Sequence, residues 1–217
     1  MVRQASAQRR TLLQAAIAVF ARKGLKGATI RDIGREAGAN SALIYYYFED
    51  KEALFTEAIR FVMQEFFERL AAGRRAFRGA EDRLAYLVDS LFGYFAEFPE
   101  RVQLMAHALL AESAQLAVAA SSFLRTGSAT PLLVLQEGIS RRELRAMHPL
   151  HAWLSIVGLC VFSLMTRDIG ARLRPEADPT FPALGLADRR REILALLVNG
   201  LASRGGKKVR GRRSAKK

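Results

Sequence analysis

Apolar residues recur at helical spacing along nearly the whole chain and strand-like alternation is absent, so the pattern predicts an all-α protein. Leu13, Ile17 and Phe20 make one stripe of a first helix, about Ala7 to Lys23. Thr29 stands three residues before Asp32, a Thr-x-x-Asp version of the capping box with a carboxylate at the positive end of a helix. Ile30, Ile33 and Ala37 give that short helix one buried face. Gly38 ends it, because glycine accepts the left-handed conformation of a C-terminal cap. Asn40 is a good N-cap for a third helix, on which Ile44 and Phe48 lie four apart and face inward. That rotation turns Ser41, Ala42, Leu43, Tyr45 and Tyr46 outward.

Beyond this segment, Asp50 caps a long helix, about Lys51 to Ala72, with Leu54, Ala58, Phe61, Met63, Phe66 and Leu70 inside. A basic turn, 73–79, precedes a helix from about Glu81 to Glu97, and Pro99 starts the next at a favoured first-turn position. Residues 113–130 give no clear pattern. Thr130-Pro131 opens a helix to about Gln136, and Pro149 opens a strongly apolar one to about Arg167. Residues 170–187 hold three prolines and two glycines and read as a loop. Asp188 caps a last helix to about Ala202. The predicted organisation is a three-helix head with a helix-turn-helix (1–49), a larger helical domain (50–203) and a basic, glycine-rich tail (204–217) whose composition predicts disorder.

Charge sharpens this picture. The chain carries a net +13, of which residues 1–48 hold +6 and residues 203–217 hold +8, leaving the middle near neutral. Two cationic ends around a neutral body are the footprint of a protein whose head meets a polyanion. The tail reads either as a solubilising segment or as a source of non-specific DNA attraction that salt weakens. Neighbouring helical residues point about 100° apart, so Tyr45, Tyr46 and Tyr47 cannot all face one core. Two short helices joined by a tight turn, the second with exposed tyrosines and small leading residues, suit entry into the DNA major groove. Arg31 is the best single candidate for guanine readout; its alternative is a solvated surface arginine.

These residues bring out a resemblance. Residues 9–55 resemble the DNA-binding region of the TetR family of transcriptional regulators, through Leu13, Ala16, Phe20, Gly24, Thr29, Ile33, Ala37, Gly38, Tyr45, Tyr47, Phe48, Lys51, Glu52 and Leu54. Gly34 departs from the alanine usual there, and Leu43 from threonine or serine. The resemblance implies that Thr29, Tyr47 and Lys51 hold the phosphate backbone. It also implies that Arg31, Ser41, Ala42, Leu43, Tyr45 and Tyr46, beside the capping Asn40, meet base edges or adjacent phosphates. It implies double-stranded DNA with a palindromic operator, a homodimer formed by the last two helices, and a small-molecule effector that releases the DNA. Candidate interface residues are Leu154, Leu159, Phe162, Ile193, Leu197 and Leu201; the alternative is that these helices finish a monomeric core. Candidate pocket residues are Phe92, Phe95, Met105, His107, Leu110, Phe123, Trp153, Ile156 and Phe162, equally readable as core. Their content favours an apolar or aromatic effector, with His107 or His151 as a polar handle.

Three histidines and one cysteine give no recognisable metal spacing, and no phosphate loop, dinucleotide fingerprint or nucleophile elbow is present, so neither catalysis nor a cofactor is expected. Cys160, in an apolar run, reads as a small buried hydrophobe more readily than as a redox sensor. A lone cysteine suits a reducing compartment, and the expected location is the cytoplasm, at the nucleoid. Residues 11–21 mimic a signal-peptide core, but their amphipathic stripe and Gln14 argue for a head helix. The uncharged stretch 150–166 lies at the bottom of the membrane-spanning range and reads more simply as a buried helix, so no membrane is expected.

Overall fold

The computed structural model describes residues 2–126, 129–167 and 185–203. Gly127, most of the expected 170–187 loop and the basic tail lie outside them. Ten helices occupy the described residues, with no strand beyond an isolated bridge between Leu144 and Ala202.

The first three helices, α1 (Val2–Gly27), α2 (Ile30–Ala37) and α3 (Ser41–Tyr47), form the head. Helix α1 is longer than expected, but its regular part stops where expected: Gly24 adopts φ 64°, which only glycine takes without strain, and kinks the last turn. An imidazole explains the kink's tightness, since a Cβ at Gly24 would lie 3.1 Å from His107 Nδ1. Leu12, Leu13, Ala16, Ile17 and Phe20 pack inward with Ile33, Ile44 and Phe48.

Helix α4 (Lys51–Ala72) follows, with the Asp50 carboxylate accepting from the Ala53 amide at 2.6 Å. Its buried face is wider than the single stripe expected: Phe55, Ile59, Val62 and Phe67 are buried too, while Phe61 and Met63 are only partly so. The breadth follows from its position, because α4 packs on α1 at one end and on three further helices at the other.

The body continues with α5 (Ala80–Glu97), α6 (Pro99–Leu110), α7 (Ser113–Thr126), α8 (Thr130–Ser140), α9 (Pro149–Met165) and α10 (Leu186–Leu201). The stretch without a clear pattern is helical as far as Thr126, and α8 runs four residues past the expected end. Helix α10 starts two residues before Asp188, at a Gly185 cap. His148 accepts from the Leu150 amide through Nδ1 at 3.2 Å, so it is an N-cap of α9. After α8 the chain is pinned to the end of α10: the Arg145 amide donates to the Leu201 carbonyl and the Ser203 amide to the Glu143 carbonyl.

Two arginines are buried, against the usual rule for charged groups. Arg83 on α5 is fully enclosed, donating from Nη1 to the Val134 carbonyl at 2.9 Å and from Nε to Glu143 at 3.0 Å, and lying over the Phe77 ring. Arg101 on α6 pairs with Glu65 and lies over the Phe98 ring. Both were legible in principle, because Arg83 falls on the stripe of Leu87 and Leu91, and Arg101 on that of Leu104, Met105 and Ala108. Cys160 is buried, and desolvation pushes its thiol up to about 12, so it is held as an unreactive thiol at neutral pH. Among the described residues no single helix is long and apolar enough to cross a membrane.

Candidate nucleic-acid interface and ligand cavity

The expected capping box is present in full. Asp32 receives the Thr29 hydroxyl at 2.8 Å and the Thr29 amide at 3.2 Å, and the Asp32 amide donates back to Thr29 Oγ1 at 3.1 Å. Lys23 Nζ lies 2.9 Å from the same carboxylate. Lys23 first, and then the Thr29 hydroxyl, hold the Asp32 carboxyl at about 2, against an ordinary 3.8. A depressed carboxyl contributes stability that is complete above the unfolded value and is lost as pH falls through the folded one. The head is therefore expected to lose this contribution on acidification from about 3.8 to about 2. A carboxyl-carbon NMR titration should place the Asp32 midpoint near the lower value, and a midpoint near the ordinary one would show that the box is not formed.

At the other end of α2, Gly38 takes φ 63° and the Ala39 amide returns to the Gly34 carbonyl at 2.8 Å. This turn is unusually close: a Cβ on Gly34 would stand 2.7 Å from the Ala39 carbonyl oxygen, which gives the departure from alanine a local reason. Asn40 then caps α3 through a 2.9 Å bond from the Leu43 amide.

Helix α3 presents Tyr46, 79 % exposed, with Tyr45 and Ala42 also exposed. Leu43 and Ser41 correct the expected outward face, since both are half-buried. A seven-residue helix turning about 100° per residue cannot keep five of its positions outside, and Leu43 borders the core beside Ile44. Tyr47 is half-buried, donates to Gln8 Oε1 at 3.4 Å, and meets the Tyr46 ring edge-on at 5.0 Å. Lys51 is half-buried and donates to the Ala28 carbonyl at 3.1 Å, tying the start of α4 to the residue before Thr29; two of its three N–H groups remain for an anion.

Five of the head's cations divide into two sets. Arg9, Arg22 and Lys23 are matched by Glu57, Glu36 and Asp32. Arg31 and Arg35 are exposed and have no carboxylate partner among the described residues. Arg31, at the start of α2, is on the same short motif as Tyr45 and Tyr46.

Between α4, α5, α6, α7, α8 and α9 lies a cavity of about 270 Å³. Phe66 and Phe67 come from α4, Tyr94 and Phe95 from α5, Met105 from α6, Phe123 from α7, and Trp153 from α9, stacked on Phe66 at 6.2 Å. Among the described residues no charged side chain lines it, and Tyr94 and Trp153 are the lining residues that carry an O–H or N–H group. The cavity takes in Phe95, Met105, Phe123 and Trp153 from the expected set but not the remainder. Phe92 and Ile156 are buried in the core, and Phe162 is 65 % exposed. His107 and Leu110 line a separate groove between α6 and the end of α9, and His151 is exposed, so neither histidine is a handle for the cavity.

Helix α9 has three faces, which explains the mixed result. Leu150, Trp153, Val157 and Val161 face the cavity, Ala152, Ile156 and Cys160 the core, and Phe162 and Met165 the outside. The expected interface set divides the same way. Ile193, Leu197 and Leu201 are buried within this chain, where α10 packs on α5 and α9, so they are not available to a partner. Leu159 is half-buried. Leu154 and Phe162 are exposed, as are Met165 and Leu196, which the sequence did not single out.

A capped α2, a tight turn, an outward aromatic α3 and unpaired arginines define a helix-turn-helix DNA-binding protein, here joined to a helical body with an apolar cavity. Comparisons with known proteins agree. Residues 12–58 match the profile of bacterial regulatory proteins of the tetR family. The HTH-type transcriptional repressor NicS of Pseudomonas putida is 30% identical over 208 residues, covering 93% of each chain. Among solved structures, the regulator FadR of Bacillus subtilis in complex with stearoyl-CoA superposes with a TM-score of 0.70 at 22% identity, covering 88% of this chain and 98% of that one. FadR of Bacillus halodurans gives 0.67 at 20% identity, covering 94% and 96%. The chain belongs to the TetR family of bacterial transcriptional regulators.

Proposed function

We propose that the protein is a cytoplasmic, homodimeric repressor that binds a palindromic operator through α3 and leaves it when a small apolar or aromatic effector fills the body cavity. The observation that carries this reading is the pairing, in one chain, of an unpaired Arg31–Tyr45–Tyr46 surface with an apolar cavity. Residues 1–49 are the DNA-binding domain and residues 50–203 the effector and dimerisation domain. Arg31, Ala42, Tyr45 and Tyr46 meet base edges or adjacent phosphates, with Leu43 and Ser41 at the margin. Thr29, Tyr47 and Lys51 hold the backbone.

Repression is supported by the name of the NicS relative. A dimer is supported by exposed Leu154, Phe162, Met165 and Leu196 on α9 and α10, and by the short reach of one recognition helix, which two heads about 34–36 Å apart overcome. An apolar effector is supported by the lining. A dry apolar cavity of about 150 Å³ accepts benzene, so this one suits an aromatic of two or three rings or a short hydrocarbon chain. FadR of Bacillus subtilis was crystallised with stearoyl-CoA, and an acyl chain is chemically compatible with the same lining.

Trp153 is the chain's one tryptophan and lines the cavity, so its emission reports occupancy. Titration with the neutral fluorophore N-phenyl-1-naphthylamine should quench Trp153 saturably and loosen binding to a selected operator. Sedimentation should give a dimer that Phe162→Asp with Leu196→Asp converts to monomer. Quenching without any effect on DNA would leave a DNA-binding protein without this effector response.

A further inference from the structure

One hydroxyl joins the cavity to both body helices that pack on the head. Tyr94 is 4 % exposed, and its ring lines the cavity with Phe66 at 5.3 Å. Its Oη donates to the Val62 carbonyl on α4 at 3.1 Å and accepts a bond from Arg101 Nη1 on α6. The same Nη1 reaches back to Glu65 on α4 at 2.5 Å, and the guanidinium lies over the Phe98 ring at 3.7 Å. Arg69 of α4 packs over the Tyr94 and Phe98 rings and pairs with Glu97 at 2.6 Å. Helices α4 and α6 are thus tied through Tyr94 and Arg101, and both pack on α1.

The tie has a second arrangement within reach. Arg101 is almost fully buried, yet its Nε has no hydrogen-bond partner among the described residues and stands 3.8 Å from the Glu100 carboxylate. If Tyr94 withdraws, the guanidinium can turn to Glu100 on its own helix. Glu65 keeps a partner in Arg69, 3.5 Å away. No buried charge is then stranded, which is the condition for switching a buried ion pair at small cost. Burial pushes the Tyr94 phenol up to about 12, so it is a protonated donor at neutral pH.

We infer that Tyr94 is the positioning residue that transmits cavity occupancy to the DNA-binding head: a ligand wedged against its ring pulls its hydroxyl from Val62 and Arg101 and unties α6 from α4. This rests on the reading of the cavity as an effector site. Coupling between two sites requires an element with two arrangements that each ligand biases differently, and the Arg101 guanidinium supplies it.

The test separates binding from coupling, using the full-length protein with N-phenyl-1-naphthylamine and a selected operator. Tyr94→Phe keeps the ring and removes the hydroxyl. Probe-free operator affinity should stay within about threefold, while the ratio of operator Kd with and without probe, taken at a concentration that saturates the variant, falls toward 1 from a wild-type value in the usual range of about 5 to 150. Arg101→Met should uncouple in the same way, and it serves if Tyr94→Phe proves too unstable. Wild-type coupling in a folded Tyr94→Phe or Arg101→Met protein would overturn the inference and leave the effector reading standing. A wild-type protein that binds the probe and keeps its DNA would overturn both.

Discussion

Replacing Arg31 and Tyr46 together by alanine is expected to abolish operator selection while leaving the fold intact. Both side chains are exposed, and Arg31 has no carboxylate partner among the described residues, so truncation leaves nothing buried and unpaired. Surface changes of this kind stay within about 0.5 kcal/mol of wild-type stability. The cost falls on DNA. The bidentate base contact that Arg31 can make is worth about 1–3 kcal/mol of discrimination, and the proposed two-fold dimer loses it twice. The pair of dimers should therefore differ by about 2–6 kcal/mol, roughly 30-fold to 10⁴-fold in specific Kd. Non-specific binding should change little, because the head keeps Arg35 and its phosphate-facing groups. Competition titrations of operator against random DNA at one fixed salt concentration measure both quantities. An unchanged specificity ratio would place sequence readout elsewhere than on α2 and α3.

The second large effect is structural. Phe20 of α1 and Phe55 of α4 are fully buried and meet edge-on, ring centroids 4.9 Å apart. This contact seats the head on the long helix that enters the body. Phe20→Ala removes the ring and leaves a void that surrounding α1, α2 and α4 can only partly fill, at about 3–5 kcal/mol. That is a large share of a typical folding free energy of about 5–15 kcal/mol, and in a chain of this size it corresponds to a fall in Tm of roughly 6–20 °C. Thermal unfolding at fixed protein concentration checks it. A drop under about 1 kcal/mol would mean that the head is not anchored at this contact.

What could be read from the sequence was what local chemistry decides. The Thr29–Asp32 box, the Gly38 cap and the Asn40 cap each involve residues within four positions, and all three form as expected. Helix α4 begins after Asp50 and ends before Gly73, as its flanking residues predict. The cavity was only half legible because six helices build it. An apolar stripe reads the same whether it faces a core, a cavity or a partner, so Phe92 and Ile156 were indistinguishable from Phe95 and Trp153. The stripe of Ile193, Leu197 and Leu201 was read as interface for the same reason, although α10 spends it on α5 and α9. His107 was a reasonable polar handle by composition, but its surroundings are set by Gly24, eighty-three positions away. Arg101 and Tyr94 went unnoticed because their partners, the Glu65 carboxylate and the Val62 carbonyl, are on α4, which no local pattern connects to α6 or α5.

In the proposed complex α3 reads DNA sequence as one half of a symmetric pair. Selection of bound fragments from a random duplex library by the full-length protein tests it most directly. The expected result is enrichment of a palindrome whose half-site centres lie one helical turn, about 10–10.5 base pairs, or a multiple of it, apart. Uniform, steeply salt-dependent binding with no enriched motif would contradict it, because the charged ends would then attract DNA that α3 does not read.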